Sequence, residues 1–388
     1  MKNEKIKTEI QLFIIWENAR KETNKLFTEI KKNFIINQVY EISWTPNNII
    51  HNLKRFYGIT LPNPEKKANQ CGKGSFLLVI VTDTNPIHGI RGTSMGKQLV
   101  NTNIYDTKRK IRQIVAGDYP IHSSIHQKEA NHNLTLLLGK NIEQIRKECK
   151  NEWDNKIKFW KYDLIGTGGW KNFEEVLFVL NNTINYVVLR NFEKFPDISD
   201  IKNNEDIDLL TDELWQIPYI LNFEKQISGD PAGFNRTIVS SKSIKFDLKY
   251  VGDSYLDEKW AKNILKYRKK TKAECYIPSK EDYFFSLLYH AVHEKTNLSK
   301  KYEEKLTILN TELNMEKLSF KKEILEKMLD NFMRENGYRY TNSLIYKINH
   351  NEITRLSYVI IKVLKHEGIR ELFRVVKAKM KKIIRKIV

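Results

Sequence analysis

Cysteine is scarce in this sequence: Cys71, Cys149 and Cys275 are the three among 388 residues. They lie far apart, are odd in number and form no Cys-x-x-Cys spacing, so neither a disulfide framework nor a zinc knuckle is supported. A reducing cytoplasm is the compartment they fit. No apolar stretch approaches the roughly 20 residues that span a bilayer. The charged start MKNEKIKTEIQLFIIW carries too short an apolar run for a signal peptide. The expectation is a cytoplasmic protein, at most peripheral at the inner face of a membrane. Repeats and low-complexity tracts are missing as well. Acidic residues are in deficit, 47 against 66 Lys and Arg, and the net charge of +19 favours phosphates, nucleic acid or an anionic membrane as partners. With 41% hydrophobic residues the chain can fill the cores of two ordinary domains.

From about residue 10 to 145 the pattern alternates between strands and helices. "LFIIW", "VYEISW", "SFLLVIVTD" and "YPIHSS" read as strands, and the unbroken apolarity of the third implies a sheet covered on both faces. "ENARKETNKLFTEIKKNF", "NNIIHNLKRFYG", "NIYDTKRKIRQIV" and "HQKEANHNLTLLLG" have helical spacing. A second unit is expected to start near Trp153: a glycine-rich turn "DLIGTGGW", the helix "NFEEVLFVLNN", and the strands "YVVLRN", "DIDLL" and "IKFDLKYVG". From Lys259 onward the pattern is helical.

The strand opening Asp206-Ile207-Asp208 places two carboxylates on one face, because residues i and i+2 of a strand point the same way. Like charges that close repel, and a divalent cation is one remedy. Chance alone supplies about five or six acidic i, i+2 pairs in a chain of this composition, so a solvated strand end is the plain alternative. Asp247, alternating with Lys245 and Lys249 in a separate strand, can lie beside the pair in a sheet.

Three carboxylates on neighbouring strands, preceded by a helix and by a strand ending in polar residues, resemble the nucleotidyltransferase fold of the DNA polymerase beta-like superfamily. The resemblance runs from about Asn172 to Gly252, with support from helices to about Lys300. The family's Gly-Ser turn after the first strand is replaced here by Leu189-Arg190-Asn191. The resemblance implies two-metal phosphoryl chemistry with Mg²⁺ or Mn²⁺. Asp206 and Asp208 would hold the metal ions, and Asp247 would complete the site and help deprotonate an attacking hydroxyl. Arg190 would neutralise charge on the phosphate; its alternative role is a salt bridge to one of the aspartates. Asn191, Lys249, His290 and Lys295 are the candidates for nucleotide contacts. The expected fold class is therefore α/β: an N-terminal α/β domain over residues 1–150, an α+β nucleotidyltransferase-like domain over 151–300, and a helical region over 301–388.

Other motifs carry less. "GTGGW" lacks the Gly-Lys-Ser/Thr ending of a phosphate loop and reads as a turn. "GIRGTSMGKQLVNTN" reads as a long polar loop with two cations, Arg91 and Lys97, suited to an anionic ligand or to solvent. His122 and His126 flank Ser123 and Ser124 without an acidic partner at triad spacing. The aromatics Tyr255 and Trp260 read as core. The terminal segment from Arg355 sets Leu364, Phe373, Val376, Met380, Ile383 and Ile387 against a cationic face, as an amphipathic helix on an anionic membrane does. The leading expectation is a transferase of nucleotidyl or phospho-alcohol groups from a nucleotide-activated donor to a glycan or lipid-linked hydroxyl, of the kind used in surface polysaccharide synthesis. The alternatives are an RNA- or tRNA-directed nucleotidyltransferase and a catalytically inactive nucleotide-binding module.

Overall fold

The most apolar run of the sequence is the central strand of a five-stranded sheet. In the computed structural model, which describes residues 8–93, 96–115, 120–199, 206–224, 233–294, 298–316 and 318–341, Phe76–Asp83 forms strand β3. It lies between β1 (Glu9–Ile15) and β2 (Ile35–Ile42), antiparallel to both. The sheet order is β6-β1-β3-β2-β7, with β6 (Ile121–Ser123) and β7 (Ile157–Trp160) at its edges. Residues on both faces of β1 and β3 are buried, Leu12, Phe13, Ile14 and Ile15 being fully so. The one-sided alternation of a half-exposed strand is therefore missing from them. Helices α1 (Thr23–Lys31) and α4 (Thr102–Ile114) supply Leu26, Ile30, Ile104 and Ile111 to the face of Phe13, Ile15, Val79 and Val81.

Around this sheet lie α2 (Ile49–Tyr57), α3 (Pro64–Cys71), α5 (Gln127–Leu138), α6 (Ile142–Glu148) and α7 (Phe173–Thr183). Asn63, Asn101, His126 and Asn141 cap α3, α4, α5 and α6 with their side chains, accepting a first-turn N–H in each case. The polar stretch expected to be a loop is instead a hairpin, β4 (His88–Thr93) and β5 (Gly96–Asn101), in which Ile90 faces Leu99. Its glycines and polar residues obscured an alternation that only strand pairing reveals. In "GTGGW", Gly166 has φ +75°, and a β-carbon there would meet the Trp170 ring at 2.7 Å, so the turn reading is met by a close approach that requires glycine.

The chain divides into two units, Met1–Thr183 with Tyr219–Asn222, and Ile184–Pro218 with Phe223–Val388. The boundary falls after Thr183 rather than near residue 150 because α7 packs against α5 and β7 extends the first sheet beside β2. The second unit has a four-stranded sheet of order β10-β11-β9-β8. Its strands are β8 (Tyr186–Val188), β9 (Asp206–Thr211), β10 (Gly233–Val239) and β11 (Lys242–Tyr250). β9 runs parallel to β11, whereas β8 and β10 are antiparallel to their neighbours. The short α8 (Ile217–Ile220) straddles the unit boundary. Helices α9 (Glu258–Lys266), α10 (Lys280–Glu294), α11 (Lys300–Glu312) and α12 (Lys322–Asn336) follow, with a small ladder of β12 (Lys269–Lys270) and β13 (Tyr276–Ile277) after α9. The architecture is mixed α/β, as expected. Among the described residues no helix is long and apolar enough to cross a membrane. The basic terminal segment lies outside the described residues.

Arg55 ties the Tyr219–Asn222 excursion to the first unit. Only 1% exposed, it donates to the Tyr219 carbonyl (3.0 Å), the Ile220 carbonyl (3.1 Å) and Thr167 Oγ1 (2.8 Å). Replacing Arg55 with Met should strand two buried carbonyls and cost about 2–4 kcal/mol. Urea unfolding should show a lowered midpoint for the variant; an unchanged midpoint would mean that these bonds add nothing net.

Candidate active site

The two faces of the second sheet have opposite chemistry. Ile207, Leu209, Phe246 and Leu248 point to one side and are buried as core. The other side carries Asp206 and Asp208 from β9, with Lys245, Asp247 and Lys249 from β11. The parallel register sets Asp206 opposite Lys245 and Asp208 opposite Asp247, so the three aspartates expected to converge do share one face.

Each of the three has a cation. Asp208, with 4% exposure, receives both Arg190 Nε, at 3.0 Å to Oδ2, and Arg190 Nη2, on Oδ1. Lys249 Nζ lies 3.1 Å from Asp247 Oδ2, and Lys245 Nζ lies 3.6 Å from Asp206 Oδ2. Arg190 is thus the salt-bridging residue of its second reading, seated in a two-point geometry that only a guanidinium offers. Its remaining Nη1 donates to the Tyr255 hydroxyl at 2.8 Å, and that hydroxyl is 3.4 Å from His290 Nδ1. Lys249 Nζ stands 4.7 Å from the centre of the Tyr255 ring. Tyr255 is held in turn by Asp253, whose carboxylate accepts the Tyr255 and Tyr250 N–H groups.

Asn191 takes φ 63° immediately after Arg190. Asparagine tolerates this left-handed conformation better than most residues, which lets the chain turn here. Its Nδ2 reaches the Asp206 carbonyl at 3.5 Å. Of the other expected contacts, His290 is buried and meets the site through Tyr255, with its ring stacked on Tyr302. Lys295 lies outside the described residues.

A cavity of about 790 Å³ adjoins the strand ends. Asn191 and Asp206 belong to its wall, together with Phe192, Phe195, Ile277, Pro278, Tyr283, Ile308 and Leu309. Four lysines, Lys194, Lys280, Lys301 and Lys305, contribute to the lining and are matched by Glu193, Asp197, Asp206 and Glu312. Glu193 is fixed from two sides, by the Tyr283 hydroxyl and by Lys305 Nζ, each at 2.6 Å. Burial works to raise its pKa, but the hydrogen bonds from Lys305 and Tyr283 outweigh it and hold the carboxyl below its ordinary value.

Asp247 is shifted the other way. Its carboxyl is held above the ordinary 3.8, first by burial and then by the like charges of Asp208 and Asp206, against the pull of Lys249. Burial is the first cause of that shift, since Arg190, Lys245 and Lys249 match the three carboxylates in number. As they stand, no three His, Cys, Asp or Glu side chains among the described residues are gathered closely enough to hold a metal ion. Asp206 and Asp247 each already meet a lysine, and Asp208 is held by Arg190, so a metal ion at this face would have to compete with cations in place.

Compared with protein-family models, curated proteins and solved structures, the chain matches none. The functional reading therefore stands on this geometry. Tyr255, placed with the core from sequence, is 3% exposed and also organises the site. The cavity residues Tyr283, Lys301 and Lys305 went unseen because they lie about a hundred positions from Glu193, with no motif to announce them. The alternation of Lys245, Asp247 and Lys249 was the one visible sign that the carboxylates bring their own cations.

Two measurements probe this arrangement. Arg190→Met should destabilise the protein by about 3–5 kcal/mol by leaving Asp208 buried and uncompensated, and adding Asp208→Leu should restore most of the loss. Additive losses in the double variant would contradict the coupling. For Asp247, the folded state holds the proton more tightly than the unfolded chain. The stability gained from the protonated form is therefore lost as pH rises from about 3.8 through the raised folded-state value. Melting curves across that range should show Asp247→Asn gaining on the wild type as pH rises; parallel curves would contradict the shift.

Proposed function

We propose that the second unit is a metal-dependent transferase that moves a nucleotidyl or phospho-alcohol group onto a hydroxyl acceptor. The carrying observation is the cavity with Asp206 and Asn191 in its wall, next to a sheet face that bears Asp206, Asp208 and Asp247. A phosphorylated donor fits such a place: apolar and aromatic side chains accept a base or an apolar moiety, and Lys301 and Lys305, one turn apart on α11, hold its phosphates. Asp206 and Asp247 would hold a Mg²⁺ or Mn²⁺ ion, which would supply neutralising charge at the reacting phosphate. Asp247, whose burial favours its protonated form, accepts the proton of the attacking hydroxyl. Arg190 orients Asp208 and Tyr255 and keeps the face rigid.

A glycan or lipid-linked acceptor belongs to this reading as its substrate class, and attachment to an anionic membrane through the segment beyond Arg355 rests on the sequence pattern alone. The RNA-directed alternative rests on the net charge. The inactive nucleotide-binding module has a specific observation in its favour, namely that Arg190 occupies both oxygens of Asp208.

Calorimetry with Mg²⁺ or Mn²⁺ and each of CTP, UTP, ATP and GTP tests the proposal. Wild type should bind one nucleotide in a metal-dependent way, Asp206→Asn/Asp247→Asn should lose that dependence, and Lys301→Met should weaken binding by about tenfold. Nucleotide binding indifferent to metal would select the inactive module. No binding to any protein would refute both.

A further inference from the structure

The two most exposed large hydrophobic side chains among the described residues lie close together in the first unit, and the reading of the second unit makes no use of them. Phe159 is 73% exposed and Tyr162 is 65% exposed. Phe159 belongs to β7, which pairs with β2 on one side and is an edge of the five-stranded sheet on the other. The Trp160 carbonyl accepts the Ser43 N–H at 3.0 Å, so the backbone groups of Lys158 and Trp160 face β2. Those of Ile157, Phe159 and Lys161 face outward, where no strand among the described residues meets them.

Edges of this kind are blunted against unwanted pairing by lysines, by proline or by a covering element. Lysines are present here, since the segment from Lys156 to Tyr162 reads KIKFWKY. They sit among aromatic rings. Lys158 Nζ lies 5.3 Å from the centre of the Tyr40 ring, and the Trp160 and Tyr162 rings are 5.0 Å apart. A merely protective edge does not account for a phenylalanine held in water, whose ring gains free energy wherever it can be buried.

Antiparallel pairing of the segment with itself about Phe159 accounts for both features. In that register Phe159 meets Phe159 of a second copy, Lys158 meets Trp160, Ile157 meets Lys161 and Lys156 meets Tyr162. Opposite residues of an antiparallel pair point to the same face, so Lys156 and Lys158 come to lie beside aromatic rings, whose faces attract cations. The Phe159 pair is of the hydrogen-bonded kind, as its outward N–H and C=O require. Centring on Lys158 would oppose like charges. Centring on Trp160 would run the ladder past the end of β7 as far as Asp163, whose carboxylate is tied to Asn48 and Asn52. We propose that β7 is the self-pairing edge of a twofold dimer, in which the five-stranded sheets of two copies become continuous. The inference is independent of the transferase reading and draws on no residue of the second unit.

Sedimentation velocity of the full chain tests the pairing. The four residues of β7 bury a small area, so the dimer should be a weak one that forms between about 1 and 100 μM protein. Phe159→Lys, which sets two cations against each other at the twofold axis, should weaken it by about tenfold or more. Because Phe159 is exposed, the melting temperature of the variant should match the wild type and keep the result clear of misfolding. Phe159→Cys should give a disulfide-linked dimer on mild oxidation, seen by non-reducing electrophoresis, whereas Tyr267→Cys, at an exposed position of the second unit, should not. Monomers throughout that range, including monomers that retain a single-stranded oligonucleotide on the same aromatics, would overturn the proposal, as would a dimer indifferent to Phe159→Lys.

Discussion

The buried pair of Arg190 and Asp208 is the interaction around which the candidate site is organised. Two ions at this depth are tolerable only if their geometry recovers what water would have given them, and the guanidinium fork does so by meeting both oxygens of the carboxylate. Its third contact reaches Tyr255, and Tyr255 reaches His290. One ion pair therefore joins the end of β8, the first turn of β9, the loop after β11 and helix α10. If the guanidinium is taken away, the polar side of the sheet keeps a charge it cannot solvate.

The same pair sets a tension at the heart of the functional reading. Carboxylates that await a cation and carboxylates that already have one look alike in a sequence and differ in what they can do. Asp208 is committed to Arg190. Asp247 retains a raised pKa despite Lys249, first because it is buried. Arg190, Lys245 and Lys249 thus answer the three carboxylates, and any further cation has to compete with them. The adjoining cavity, apolar over much of its wall with lysines among the lining, suits a phosphorylated ligand.

The strands and helices with strong periodicity were readable from sequence, because a strand such as Phe76–Asp83 or a helix such as Lys280–Glu294 advertises its burial in its own composition. So was the shared face of Asp206, Asp208 and Asp247, since strand alternation fixes the side on which each residue falls. Three features were not readable: the hairpin at His88–Asn101, the added edge strand at Gly233–Val239, and the placing of residues 151–183 with the first unit. Each depends on what the segment pairs or packs with rather than on its own pattern. The sequence by itself determined which side chains could meet, because alternation along a strand is a local property of the backbone. Only the tertiary structure decided that Arg190 and two lysines would answer the three carboxylates, because an ion pair depends on distances between segments remote in the chain, and those distances exist only once the sheet has formed.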